Sequence, residues 1–117
     1  MREEEVDEIS KDFKVATGIM RKEDPETTEA FLTMLRSARR EGTLSAKTKE
    51  LCCLAIALFA RCESCIVLHT KSALEAGATR QELIEICSVA LMMGGSPTMP
   101  HVSVVLKTYD RLLQRSL

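Results

Sequence analysis

The chain has 117 residues, of which 45% are hydrophobic and 28% charged, and its formal net charge is −1. That length holds one domain with a real core and is too short for two. The near-neutral charge gives no electrostatic case for nucleic acid or an anionic membrane as partner. Aromatic residues make up only 3% and Trp is absent, so the core falls to Leu, Ile, Val, Ala and Met, a composition suited to closely packed helices.

The first helix is read over residues 3–20. Val6, Ile9, Phe13, Ala16 and Met20 recur at spacings of three and four, which line one face. Asp24-Pro25 supplies an N-cap and a proline at the first position of a second helix, whose stripe is Ala30, Phe31, Met34, Leu35 and Ala38. Arg36, Arg39 and Arg40 fall near its end, before Gly42, and read as a solvated helix end rather than a binding patch. Ser45 caps a third helix running to about Arg61; residues 51–60 are apolar on every side, as in a helix buried all round.

One helix from 46 to 76 would far exceed the usual ~11–12 residues. A break is therefore placed at 61–63, although no Gly or Pro marks it. The fourth helix ends at Gly77. Thr79 with Glu82 forms a capping box for a fifth, apolar through Met92-Met93 and stopped by Gly94-Gly95. After a turn delimited by Pro97 and Pro100, a last helix carries Val102, Val105, Leu106, Tyr109, Leu112 and Leu113. The expectation is an all-α single domain over 1–117 with about six helices. Two helices apolar all round are hard to hide in so small a domain, so a homo-oligomer is expected.

The N-terminus is acidic with no apolar segment behind it, and the longest apolar run, residues 51–60, is about half of what spans a bilayer. Five cysteines, two of them adjacent, make a poor secreted disulfide framework, so a cytoplasmic location is expected.

Cys62, Cys65 and His69 stand at offsets of three and four, on one face of a helix. A thiol pair able to close into a disulfide then has a proton acceptor one turn away, and a helix start near Cys62 would turn unpaired N–H groups toward both sulfurs. A nearby carboxylate or amine can assist that histidine; Lys49 and Glu50 of the preceding helix and Glu63 between the cysteines are all candidates. The pair can reduce a peroxide through a sulfenic acid, or exchange with a disulfide. Zinc on Cys62, Cys65, His69 and Glu50 is the competing reading. Structural zinc usually shows two paired clusters and only one is present, so redox chemistry is preferred, with no metal and no cofactor beyond the cysteine pair. Cys52, Cys53 and Cys87 sit in apolar runs and read as buried small hydrophobes; His101 reads as structural or surface. Covalent haem is excluded because Ile66, not His, follows Cys65.

Glu50, eleven residues, Cys62-x-x-Cys65, three residues, His69 together resemble the alkylhydroperoxidase D-like, or carboxymuconolactone decarboxylase, superfamily. The segments 44–51 and 77–83 and the Gly94-Gly95-Ser96-Pro97 stretch reinforce the resemblance, which covers about residues 25–115. It implies an all-helical fold assembled as trimers or hexamers, and an antioxidant peroxidase or disulfide reductase acting on a peroxide or disulfide with a thiol or dithiol electron donor. Carried over, Cys62 and Cys65 are the redox pair, His69 deprotonates Cys65, and Glu50 joins His69 in a proton relay. Peroxidase members often carry a histidine immediately before the second cysteine. Ser64 stands there, a hydroxyl that can relay a proton but is no base at neutral pH. The alternative function, decarboxylation of a small carboxylated lactone with Glu50 or His101 as acid–base, belongs to a branch described as lacking the cysteine pair.

Overall fold

The computed structural model describes residues 3–116. They form six α-helices: α1 Glu3–Glu23, α2 Pro25–Arg39, α3 Ala46–Ala60, α4 Glu63–Glu75, α5 Arg80–Gly94 and α6 Met99–Ser116, with a single 3₁₀ turn at Ser96–Thr98 before α6. No β-strand occurs among the described residues. α4 lies at the centre, packed on α3, α6 and α1, while α5 covers the other side of α3 and α2 lies along α1 and the start of α3. The core gathers Val6 of α1, Leu54 and Leu58 of α3, Ile66, Val67 and Ala73 of α4, Leu83, Cys87 and Ala90 of α5, and Val104 and Val105 of α6.

The helix starts follow the local chemistry of the sequence. Asp24 accepts from the Thr27 N–H at 3.4 Å and Ser45 from the Thr48 N–H at 3.0 Å. Thr79 and Glu82 exchange both bonds of a capping box, at 3.1 and 2.9 Å. The backbone N–H of Thr79 on the Glu82 carboxylate, and then Lys47, hold that carboxyl below its ordinary range. Gly77, at φ +97°, ends α4 in a Schellman motif, with the Ala78 N–H on Ala73 O at 2.9 Å and the Gly77 N–H on Leu74 O at 3.0 Å.

The break expected at 61–63 is present, and it is made without glycine. Arg61 adopts the left-handed conformation, φ +57° and ψ +39°, and closes the same motif: its N–H reaches Leu58 O and the Cys62 N–H reaches Ala57 O, both at 3.1 Å. An L-residue in that region costs about 1–2 kcal/mol that glycine avoids. Arg61→Gly is therefore expected to raise unfolding stability by roughly 0.5–1 kcal/mol, after allowing for the greater freedom of glycine in the unfolded chain. Urea unfolding of the two proteins measures it.

Four expectations change. α1 runs three residues past 20, and α6 begins at Met99, so Pro100 lies in its first turn instead of before it. The helices read as buried all round are not: Ile56 and Phe59 of α3 and Val89, Met92 and Met93 of α5 are exposed within the chain. Each helix has one apolar face that the chain covers and another that it leaves exposed. Cys52 also lies on the exposed side of α3 and Cys53 is half-buried; only Cys87 is the buried thiol expected, and burial pushes its pKa up to about 11.

α1 and α6 are tied by a small ion cluster. Asp7 accepts from Arg111 at 2.6 and 3.2 Å and pairs with Arg115 at 2.6 Å. The Arg111 hydrogen bond, with help from Arg115, holds the Asp7 carboxyl below the usual carboxylate range against the opposing effect of burial. A depressed folded-state pKa gives stability that is present above the unfolded value near 3.9 and is lost as pH falls through the folded one. Asp7→Asn is expected to flatten the stability–pH curve below about pH 4, as read by thermal melts across pH.

Candidate functional site

Cys62 occupies the two-residue link between α3 and α4 and is the N-cap of α4. Its Sγ accepts from the Cys65 N–H at 3.3 Å, and Ser64 Oγ lies 3.5 Å from the same sulfur. Of the two sulfurs expected to meet N–H groups at the helix start, Cys62 Sγ is the one at the N-cap, where it takes the Cys65 N–H and faces the positive end of the α4 dipole. Cys62 and Cys65 are joined in a disulfide, with Cα atoms 5.3 Å apart, inside the range that a disulfide spans.

One turn along α4, His69 Nδ1 lies 2.8 Å from Glu50 Oε2. Glu50 projects from α3 and is only 4% exposed, so among Lys49, Glu50 and Glu63 it is the one that the α3–α4 packing carries to the histidine. A carboxylate only accepts, so Nδ1 carries the proton of a neutral His69 and Nε2 keeps its lone pair. Lys49 instead bonds the Arg40 carbonyl at 2.7 Å.

The other oxygen of Glu50 is held by Arg39, whose Nε donates to Oε1. Arg39 Nη2 also donates to Ser72 Oγ at 3.1 Å, so one guanidinium from the end of α2 locks α3 to α4 beside the cysteine pair. This corrects the reading of Arg36, Arg39 and Arg40 as a wholly solvated helix end. Arg36 and Arg40 do bond locally, to Thr33 and Ser37, but Arg39 is part of the site. No local signal distinguishes it. Periodicity places Arg39 in a polar last turn, and only the approach of α2 to α3 gives it a buried carboxylate to neutralise.

Cys53, one turn after Glu50 on α3, is likewise closer to the site than its apolar run suggests. One ligand-type atom from each of Glu50, Cys53 and His69 lies within 4.8 Å of the others. Burial, then the negative charge of Glu50, pushes the Cys53 thiol above its ordinary range, so it stays protonated at neutral pH.

Cys65, Leu68, His69 and Ser72 of α4 form one wall of a cavity of about 330 Å³. Phe13 of α1 and Phe31, Leu32, Leu35, Arg36 and Arg39 of α2 form the other. Cys65 and His69 open on this space; Cys62 and His101 are not among its lining residues. Phe13, Phe31 and Leu32 also line a second apolar cavity, of about 350 Å³, that continues between α1 and α2 toward Met20.

Residues 25–108 match the model of the carboxymuconolactone decarboxylase family. The chain belongs to this family. A carboxymuconolactone decarboxylase family protein of Legionella pneumophila has the same fold, with a TM-score of 0.87 at 33% identity, covering 91% of this chain and 95% of that one. A family protein of Thermotoga maritima, for which involvement in an antioxidative response has been suggested, superposes with a TM-score of 0.82 at 27% identity over 90% of each chain. An uncharacterized protein of Cupriavidus necator is 33% identical over 105 residues, 90% of this chain and 89% of its own. Among the described residues of this family member, no helix is long and apolar enough to cross a membrane.

Proposed function

We propose that this carboxymuconolactone decarboxylase family member is a thiol-dependent peroxidase that cycles Cys62 and Cys65 between dithiol and disulfide in antioxidant defence. The observation that carries the reading is the Cys62–Cys65 disulfide at the start of α4, with Cys65 opening on the same cavity as His69, itself bonded to Glu50.

In the reduced protein His69 takes the Cys65 thiol proton through Nε2, and the imidazolium so formed is held by the Glu50 carboxylate. The Cys65 thiolate attacks the distal oxygen of a hydroperoxide ROOH. The O–O bond breaks, Cys65 becomes a sulfenic acid, and the leaving alkoxide takes the proton from His69 to give ROH. The Cys62 thiol condenses with that sulfenic acid, forming the disulfide and releasing water. A dithiol donor then exchanges with the disulfide and leaves as its own disulfide, restoring both thiols. In this reading Ser64, whose Oγ lies 3.5 Å from Cys62 Sγ, relays the Cys62 proton in the condensation step. The apolar walls supplied by Phe13, Phe31, Leu32, Leu35 and Leu68 favour an oxidant with a hydrocarbon body over hydrogen peroxide.

The exposed apolar surfaces of α3 and α5 support self-association, as a trimer or hexamer, in a cytoplasmic protein. Light scattering at micromolar concentration tests that, and a monomer overturns it.

The functional test is consumption of an organic hydroperoxide by the reduced protein with a dithiol as the electron source. Turnover scaling with protein supports the reading, and none above the dithiol alone overturns it. A second reading, decarboxylation of a carboxylated lactone, draws on Arg36 and Arg39 at the cavity wall, which suit a carboxylate. Lyase activity that survives loss of both Cys62 and Cys65 would select it.

A further inference from the structure

We propose that Glu50, Cys53 and His69 form a binding site for a thiophilic divalent cation of the zinc type, in which Cys53, outside the Cys62–Cys65 pair, is the anchoring ligand. The three residues offer one carboxylate oxygen, one sulfur and one imidazole nitrogen, all within 4.8 Å of each other. In a tetrahedral zinc site such atoms sit about 3.3–3.6 Å apart, so closing the site needs adjustments of about 1 Å, within reach of small side-chain rotations. The donor set matches zinc, which takes this mixture of Cys, His and carboxylate, and three protein ligands leave a fourth position open.

The surroundings are those of a ligand set and not of a chance surface group. Glu50 is 4% exposed, and both Cys53 and His69 are half-buried. Glu50 and Cys53 stand one turn apart on α3, so their spacing is fixed by the helix, and α4 is packed directly against it with His69. Arg39 donates to Glu50 Oε1 and leaves Oε2, the oxygen turned to His69, for a metal; ligating carboxylates are characteristically held this way by an outer partner. Binding is balanced in charge. The thiol of Cys53 loses one proton to solvent, the Nδ1 proton of His69 moves to Nε2 if Nδ1 ligates, and the cation then meets one thiolate, one carboxylate and one neutral imidazole. No electron transfer is involved.

The consequence for the site rests on the proposed peroxidase reading. A bound cation occupies Glu50 and His69, so a chain holding metal has lost its proton relay, and metal binding and thiol turnover exclude each other. The site itself does not rest on that reading, and its test does not use activity.

The probe is Co²⁺ added to chelator-treated protein in which Cys62 and Cys65 are oxidised, so that pair cannot ligate. Wild type is expected to bind one ion per chain, with a thiolate-to-cobalt charge-transfer band, tetrahedral d–d absorption, release of about one proton, and displacement by one equivalent of Zn²⁺. Cys53→Ser is expected to lose the charge-transfer band and to bind at least about tenfold more weakly. It keeps wild-type helicity by circular dichroism. Cys52→Ser, altering the exposed neighbouring thiol, is expected to leave the spectrum unchanged. No charge-transfer band in oxidised wild type, or an undiminished one in Cys53→Ser, overturns the proposal whether or not hydroperoxides are substrates.

Discussion

Replacing Cys65 by serine is expected to lower hydroperoxide turnover by at least about a thousandfold, to the rate of the dithiol alone, because a serine hydroxyl at neutral pH has almost none of the nucleophilicity of a thiolate. Replacing Cys62 should also stop the cycle, but at a different point. Cys65 lines the cavity and Cys62 does not, so Cys62→Ser keeps the nucleophile and loses only the thiol that resolves it. A single turnover of Cys62→Ser should therefore consume one equivalent of hydroperoxide and leave a sulfenic acid at Cys65, which a dimedone-type probe traps and mass spectrometry locates. Cys65→Ser should give no adduct. A sulfenic acid found at Cys62 in Cys65→Ser, with none at Cys65 in Cys62→Ser, would reverse the two roles. Wild-type turnover in either mutant would dismiss the mechanism.

The second large effect concerns a proton. Glu50→Gln changes no shape, yet it is expected to lower turnover by about 10²–10⁴-fold. Arg39 Nε donates to one atom of the Glu50 head, so in the mutant that atom must be the amide oxygen. The amide NH₂ is thereby turned to His69 Nδ1, the partner now 2.8 Å from Oε2. An NH₂ only donates, so Nδ1 must accept and the ring proton moves to Nε2, which then has no lone pair for the Cys65 thiol. The substitution thus reverses the tautomer without moving the ring. The signature is a rate of Cys65 alkylation that no longer follows the wild-type pH profile, while thermal stability changes little. Removing the lock should restore part of the function. In Glu50→Gln combined with Arg39→Met the amide is free to turn its oxygen to Nδ1, so the double mutant is expected to exceed Glu50→Gln alone. Strictly additive losses would remove Arg39 from this role.

Most of the helix starts are legible in the amino-acid order alone. They are written in side chains that bond their own first turn, as at Asp24, Ser45 and Thr79, and such bonds do not depend on what the helix later packs against. The α3–α4 break is legible only through length, because Arg61 occupies a position where glycine is usual and no residue type marks it. Apolar pattern overstates the burial of α3 and α5, because an apolar residue shows its preference and not its neighbour. Leu54 and Leu58 are fully buried where α3 packs on α4 and α5, while Ile56 and Phe59, within two positions of them, are exposed within the chain.

The same division runs through the site. Cys62, Cys65 and His69 share a helix face by spacing alone, and a local rule suffices to find them. Glu50 stands out through resemblance to a family, and the packing of α3 on α4 brings it to His69. Local pattern sends Arg39 to solvent and Cys53 to the core, since nothing in their own segments distinguishes them. Contacts a few residues apart are thus enough to specify the helices, most of their ends and the group of two cysteines and a histidine. Three features depend instead on the packed chain: Arg39 pins Glu50, Cys53 stands beside the relay, and Cys65 rather than Cys62 opens on the cavity. Each follows from which turns of α2, α3 and α4 come into register when the helices pack, a geometry set by the whole core.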